Sequence, residues 1–325
     1  MALLSIKNLS IGYQTKAGML KAVDNISFEL ERGRPLGFVG ESGCGKTTIG
    51  MTLMGLLPGN AHILGGSIGF QNQDLIQLNE DQWRRVRGKE IAMIFQAAMN
   101  ALNPVMRVDE QVIEAIVTHT PDISPADLDK RINELFDLVE IPRVRMKDFP
   151  HEYSGGMKQR VIIAMALACN PKLIIADEPT TALDVIVQDQ ILKEIKAIQK
   201  AMNTGLIFIS HDIAVVASVC KDICVMYGGQ IVETGTREEV FRNPRHPYTK
   251  ALLGSYLSLD NELTVVIPDM RETPDLTLES GCCRFAVNCK TCSSACKAEV
   301  PQWIDISGSH KALCCDETII RNSHE

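Results

Sequence analysis

The chain reads Leu36-Gly37-Phe38-Val39 and then, without a break, Gly40-Glu41-Ser42-Gly43-Cys44-Gly45-Lys46-Thr47-Thr48. The first four residues are a short apolar run suited to a buried strand, and Thr47 to Leu57 has the apolar spacing of a helix. Between them stands the pattern G-x-x-x-x-G-K-T of a phosphate-binding loop. Its glycines let the backbone turn tightly, so that successive N–H groups point at a phosphate chain, and the helix N-terminus adds partial positive charge. Gly40, Ser42, Gly43, Cys44, Gly45 and Thr48 are expected to line the phosphates of a nucleotide. Lys46 is expected to hold the β- and γ-phosphates as a point charge, and Thr47 to offer its hydroxyl to Mg²⁺. Cys44 reads as a small filler residue, although a neighbouring lysine is able to activate a thiol.

An acidic pair completes the ATP chemistry. Leu173-Ile174-Ile175-Ala176-Asp177-Glu178 is an apolar run suited to a central parallel strand, which delivers its last carboxylates to the carboxyl edge of the sheet. Asp177 is expected to orient Mg²⁺, directly or through water, and Glu178 to polarise the attacking water. Gln96 follows the apolar run Ile91-Ala92-Met93-Ile94-Phe95, and His211 follows Leu206-Ile207-Phe208-Ile209-Ser210.

Tyr153-Ser154-Gly155-Gly156-Met157-Lys158-Gln159-Arg160 opens a helical stretch and resembles the signature sequence of ATP-binding cassette (ABC) ATPases, whose motif order the chain also follows. Tyr153 stands where leucine is commoner, and Met157 where glutamine is. The resemblance implies an α/β, ABC-type P-loop fold: a mixed-sheet core with a β-subdomain and a helical subdomain. It implies that Ser154, Gly155 and Gly156 complete the phosphate site of an opposite subunit, and that Ala182-Leu183-Asp184 carries communication between the two. It further implies that Gln96 senses Mg²⁺ and water, that His211 contacts the γ-phosphate, and that Tyr13 stacks on adenine. The cofactors implied are ATP and Mg²⁺.

Organisation along the chain agrees with this. Strand-like runs such as Ile26-Ser27-Phe28-Glu29-Leu30 surround the phosphate loop. Helical periodicity dominates about 97–169, with helices expected over Val108 to His119 and Pro125 to Val139 and a third opening at Ser154. Strand and helix alternate again from Lys172 to Glu233. The expected division is a cassette over 1–255 and a C-terminal extension over 256–325. A chain of 325 residues with net charge −7 can bury a full core and exerts no general attraction on nucleic acid. No apolar run approaches the roughly 20 residues that span a bilayer, and no secretory signal is read at the N-terminus.

Three stretches resemble the dipeptide, oligopeptide and nickel importer branch of the ABC family. They are Ala101-Leu102-Asn103-Pro104, Phe149-Pro150-His151-Glu152 and Asn243-Pro244-Arg245-His246-Pro247-Tyr248-Thr249-Lys250-Ala251-Leu252-Leu253. By itself the last is a proline-punctuated turn entering a short amphipathic helix, with nothing catalytic about it. The apolar segment from Gln96 to Val105 is expected to form a groove for a permease helix; packing within the monomer is the alternative.

Seven of the eleven cysteines fall between Cys282 and Cys315. In a cytosolic protein such a group suggests a metal centre rather than disulfides. Cys283, Cys289, Cys296 and Cys314 match the four-cysteine spacing of the importer branch, which implies a [4Fe–4S] cluster. Zinc and unliganded thiols remain alternatives, and Cys289, Cys292 and Cys296 form a rival C-x₂-C-x₃-C run. The doublets Cys282-Cys283 and Cys314-Cys315 leave the ligand choice open.

The resemblance thus implies the ATPase subunit of an importer for peptides or a related solute such as nickel, peripheral on the cytoplasmic face of the membrane. Its expected partners are a second ATPase subunit (paralogous or identical), two integral-membrane permease subunits and an extracytoplasmic substrate-binding protein, with no nucleic acid. A soluble ABC ATPase acting on ribosomes or DNA is one alternative, but it usually needs two cassettes in one chain, a long coiled coil or a basic arm, and none of these is read in the sequence. A redox-sensing regulatory ATPase using the cysteine tail is the other alternative.

Overall fold

The computed structural model describes residues 2–96, 101–181, 183–257, 276 and 281–321. The expectations for 97–100, Ala182 and most of 256–280 therefore lie outside the described residues. The strands are β1 (Leu4–Thr15), β2 (Gly18–Leu30), β3 (Pro35–Val39), β4 (Ala61–Phe70), β5 (Gln73–Asp74), β6 (Ile91–Ile94), β7 (Leu173–Asp177), β8 (Gly205–Ser210), β9 (Asp222–Tyr227), β10 (Gln230–Thr236), β11 (Gln302–Ser307) and β12 (His310–Cys314). The α-helices are α1 (Lys46–Leu53), α2 (Glu80–Val86), α3 (Val108–Val117), α4 (Pro125–Leu138), α5 (Gly155–Ala166), α6 (Val185–Met202), α7 (Ile213–Val219), α8 (Arg237–Arg242), α9 (Pro247–Leu257), α10 (Ser294–Ala298) and α11 (Glu317–Arg321). They divide into two compact units, one of Met1–Leu30, Pro35–Ile76 and Ile209–Glu325, the other of Glu31–Arg34 and Gln77–Phe208.

The first unit carries the phosphate loop. Its outer sheet runs β2-β1-β4-β5 with antiparallel neighbours. Its central strands are mixed: β3 is parallel to β9, β9 antiparallel to β10, and β12 and β11 continue the antiparallel run. All five residues of β3 are buried, as a continuous apolar strand covered on both faces requires. Phe38 meets Phe28 edge-on at 4.9 Å, and Ile49 and Leu53 of α1 are fully buried. Helix α1 ends at Leu53, short of the expected Leu57, because the Met54 N–H turns back onto the carbonyls of Met51 and Thr52. The cysteine-rich end also folds into this unit. It adds the hairpin β11–β12 to the edge of β10, with Glu233 opposite Ala312, around a small core of Ala312, Cys314 and Ile320.

The second unit is built on the parallel pair β6 and β7, in register from Ile91 opposite Leu173 to Ile94 opposite Ala176. Helices α3, α4 and α5 fall between these strands in the chain, where helical periodicity is read. Helix α4 starts where its sequence dictates: Ser124 caps it by accepting from the Asp127 N–H, and Pro125 takes the first helical position. The importer-like loop after residue 100 is pinned by a buried side chain. Gln111 accepts from the Asn103 N–H at 2.9 Å and donates to the Asn103 and Met106 carbonyls at 3.1 and 3.0 Å. Leu102 is buried, whereas Phe95, Val105 and Val144 are exposed. No helix among the described residues is long and apolar enough to cross a membrane.

Candidate functional site

In the first unit the loop Gly40–Gly45 leads into α1. Gly45 has φ +105°, and a Cβ there would lie 2.3 Å from the Ala22 carbonyl oxygen, so both conformation and space demand glycine. Lys46 is buried, and its ammonium donates to the carbonyls of Gly40 at 2.6 Å and Glu41 at 2.7 Å. Its charge is thereby aimed along the loop rather than out to water. Ser42, Gly43 and Thr47 are exposed, and Thr48 is half-buried. Cys44 is buried, and burial outweighs the nearby Lys46 in pushing its thiol up. It is a packing residue here, not an activated nucleophile. Tyr13 stands beside the loop, its hydroxyl 3.2 Å from that of Thr48. His211 is exposed immediately after β8, ahead of Asp212, which caps α7 by accepting from the N–H groups of Ala214 and Val215.

The second unit carries the carboxylates. Asp177 is the buried last residue of β7, and Glu178 follows it. The register of β6 and β7 brings Gln96 beside Glu178, each two residues past the aligned pair Ile94 and Ala176. Gln96 Nε2 donates to Glu178 Oε2 at 2.9 Å, and Thr181 Oγ1 donates to the same oxygen at 2.9 Å. Glu178 has φ +47°, a left-handed conformation rare for a side chain of this size. Such backbone strain concentrates at functional positions, where the surroundings hold it.

Ser154 is the N-cap of α5, its hydroxyl accepting from the Met157 N–H, and both Ser154 and Gly155 are exposed. The start of the helix, with the positive end of its dipole, is thus exposed and suited to an anionic group. Gly156 is fixed by packing, since a Cβ would come within 2.7 Å of Val187 Cγ1. Tyr153, the residue that departs from leucine, is buried and donates from its hydroxyl to the Arg145 carbonyl at 2.7 Å. Asp184 caps α6 by accepting from the Val187 N–H at 3.0 Å.

Sequence reading missed Thr181 and Tyr248. Tyr248 is 1% exposed, and its hydroxyl accepts from the N–H of Glu41 in the phosphate loop at 3.1 Å. The signal was a tyrosine in an apolar helical stretch, because a buried tyrosine hydroxyl needs a partner. Its segment turns a buried face of this short helix toward the core. Arg245, His246 and Thr249 are buried, and buried Glu233 accepts from the backbone N–H groups of Arg245 at 2.9 Å and His246 at 2.8 Å. His310 Nε2 lies 2.7 Å from the same carboxylate.

The cysteines of the tail converge without forming an ion-sized cage. The Cys283 N–H donates to the Cys296 carbonyl at 3.0 Å, and the Cys292 N–H to the Cys289 carbonyl at 3.2 Å. Burial, helped by the charges of Cys296, Cys314 and Cys289, pushes the Cys283 thiol up to about 12. Burial, with Cys296 and Cys289 adding to it, also raises Cys314. Cys283 and Cys314 thus lie close enough to Cys289 and Cys296 to sense their charge. Yet among the described residues no group of three or more His, Cys, Asp or Glu is arranged to hold a metal ion. The metal-binding character expected of the extension is to that extent not met.

Known proteins agree with the geometry. Residues 23–181 match the family model "ABC transporter", and residues 232–296 match "Oligopeptide/dipeptide transporter, C-terminal region". The oligopeptide transport ATP-binding protein OppD of Bacillus subtilis is 49% identical over 84% of this chain and 78% of its own length. The dipeptide transport ATP-binding protein DppD of Lactococcus lactis is 43% identical over 95% of this chain and 89% of its own. Among solved structures, CbiO1 of Clostridium perfringens, part of the ABC transporter complex CbiONQ, superposes with a TM-score of 0.67 at 26% identity, covering 81% of this chain and 99% of that one. The dimeric ATP-binding cassette MJ0796 bound to ADP and Pi gives 0.64 at 26% identity over 72% of this chain and 98% of that one. Relatives this similar along nearly their whole length place the chain in the ABC transporter family, among the ATPase subunits of its dipeptide/oligopeptide group.

Proposed function

We propose that the chain powers uptake of di- or oligopeptides, or of a related solute such as nickel, by hydrolysing ATP on the cytoplasmic face of a membrane. The carrying observation is the Glu178 carboxylate, fixed by Gln96 and Thr181 in a left-handed backbone position at the end of β7. A carboxylate so held is oriented to take a proton from water attacking the γ-phosphate.

The roles divide as follows. Lys46 and the loop N–H groups of Ser42 to Thr48 bind phosphate, and Tyr13 borders the base. Thr47 and Asp177, with Gln96, serve Mg²⁺, whose charge offsets that of the phosphates. His211 contacts the γ-phosphate. Ser154, Gly155 and Gly156 cap the phosphates bound by a second cassette, with Asp184 near that contact. The exposed Val185 and Ile186 beside Asp184 suit such an interface. Two ATP molecules then lie between two cassettes, closure moves the permease subunits, and hydrolysis resets the dimer. The exposed Phe95, Val105 and Val144 fit docking to a permease helix. A paralogous cassette is the favoured partner, with substrate arriving through an external binding protein.

In this reading residues 1–255 are the cassette and 256–325 the extension. Cys283, Cys289, Cys296 and Cys314 hold a [4Fe–4S] cluster with a structural role. The match of these four cysteines to the spacing of the importer branch supports the assignment, and four thiolates suit such a cluster. Purification of the tagged chain from gently solubilised membranes tests the function. Two multi-span permease subunits should accompany it; ribosomes or DNA-repair proteins in their place would remove the transport claim.

A further inference from the structure

Two short paths join the cysteine extension to the phosphate loop, and both begin beside Cys283. The first starts at Arg284, a buried residue whose guanidinium pairs with Asp24 at 2.8 Å and donates to the Gly228 carbonyl. The next residue, Gly229, donates its N–H to the Cys44 carbonyl in the phosphate loop at 3.1 Å. The second starts at Phe285, 3% exposed, whose ring meets Tyr227 at 5.0 Å and Tyr248 at 5.7 Å, both edge-on. Tyr248 takes the Glu41 N–H at 3.1 Å.

The Glu41 peptide is therefore gripped on both sides, its N–H by Tyr248 and its carbonyl by Lys46. Cys44, three residues on, is gripped by the β9–β10 turn that Arg284 braces. The tripeptide Cys283-Arg284-Phe285 is itself fixed to the cysteine group, through the Cys283 N–H on the Cys296 carbonyl. A loop that binds phosphate through its backbone N–H groups gains affinity when those groups are already aimed, because less order has to be imposed on binding.

We propose that Arg284, Phe285 and Tyr248 are positioning residues that hold the phosphate loop in its nucleotide-binding shape, so that the integrity of the cysteine extension sets nucleotide affinity. This rests on the reading of the loop as an ATP site. The extension is then a brace for the loop, and disturbing the thiols at its centre loosens a site many residues away in sequence.

The test uses the full chain with trinitrophenyl-ATP as probe, and hydrogen exchange as a second readout. Tyr248→Phe removes one hydroxyl and leaves the ring packed; it should weaken binding about fivefold, the usual effect of one hydrogen bond. The Glu41 amide should exchange faster while the amides of Gly37 and Phe38 in β3 keep their protection. Phe285→Leu should act in the same direction, and Trp303→Ala, on the exposed side of β11, should match the wild type. Wild-type affinity in Tyr248→Phe overturns the proposal, and so does a loss of protection that extends through β3. Failure of the wild-type chain to bind the probe would instead remove the nucleotide reading.

Discussion

Gln96 and Glu178 are joined by a hydrogen bond of 2.9 Å, and the register of two parallel strands makes the pairing. Ile94 lies opposite Ala176, so a residue two places beyond each strand end meets its counterpart at the carboxyl edge. The amide of Gln96 donates to the carboxylate that we propose accepts a proton, and so sets its orientation. Gln96→Ala should leave ATP binding near wild type and lower turnover about tenfold or more, since a general base works only within hydrogen-bond reach. A loss of affinity with unchanged turnover would assign Gln96 to binding instead. Single-turnover ATP hydrolysis separates the two.

Gly156 illustrates a position fixed by space. Gly156→Ala drives a methyl to within 2.7 Å of Val187 Cγ1 and should destabilise the chain by about 1–3 kcal/mol, the usual range for overpacking. The double variant Gly156→Ala with Val187→Ala should recover part of that loss. Additive thermal shifts in the two single variants and the double one would show that the contact does not limit the packing of α5 on α6.

His246 predicts an acid sensitivity. Burial lowers its imidazole to about 4, with the Glu233 carboxylate opposing the shift, and Nδ1 accepts the Tyr248 N–H at 3.1 Å. The folded chain therefore holds this histidine neutral, while the unfolded chain protonates it near its ordinary 6.5. Below pH 6.5 the unfolded state binds the extra proton, so stability falls as pH drops from about 6.5 to about 4. The full difference of two to three pKa units corresponds to about 3 kcal/mol. Denaturant titrations of wild type and His246→Gln between pH 7 and 4.5 measure it. The variant should show a shallower pH slope, and identical slopes would deny His246 the role.

Iron analysis tests the extension. Anaerobically purified chain should contain about four iron and four sulfide, and Cys296→Ser should lose both. Stoichiometric zinc without sulfide would replace the cluster by a mononuclear site.

What the sequence revealed and what it hid differ in range. The phosphate loop, the Asp177-Glu178 strand end and the Ser154 helix start are local patterns, in which residue type and spacing carry the chemistry. Strand β3 and helix α5 follow from the same short stretches. The contact of Tyr248 with Glu41 crosses 207 positions and depends on tertiary packing, so no window of sequence contains it. Thr181 escaped notice because a threonine three residues past a glutamate has many uses until the turn brings its hydroxyl onto the carboxylate. The hairpin β11–β12 is not anticipated, because in this stretch the reading rests on Cys314 alone, although Trp303-Ile304-Asp305-Ile306 has strand character. Leu57 was placed in α1 from apolar spacing, but the turn at Met54 ends the helix first.

Glu178→Gln, assayed for ATP binding and hydrolysis in the purified membrane complex, tests the account most directly. The carboxamide keeps the shape and cannot accept the proton. The account predicts that the variant binds ATP as the wild type does, accumulates a closed pair of cassettes, and hydrolyses ATP at least about a hundredfold more slowly. Turnover at the wild-type rate would contradict it.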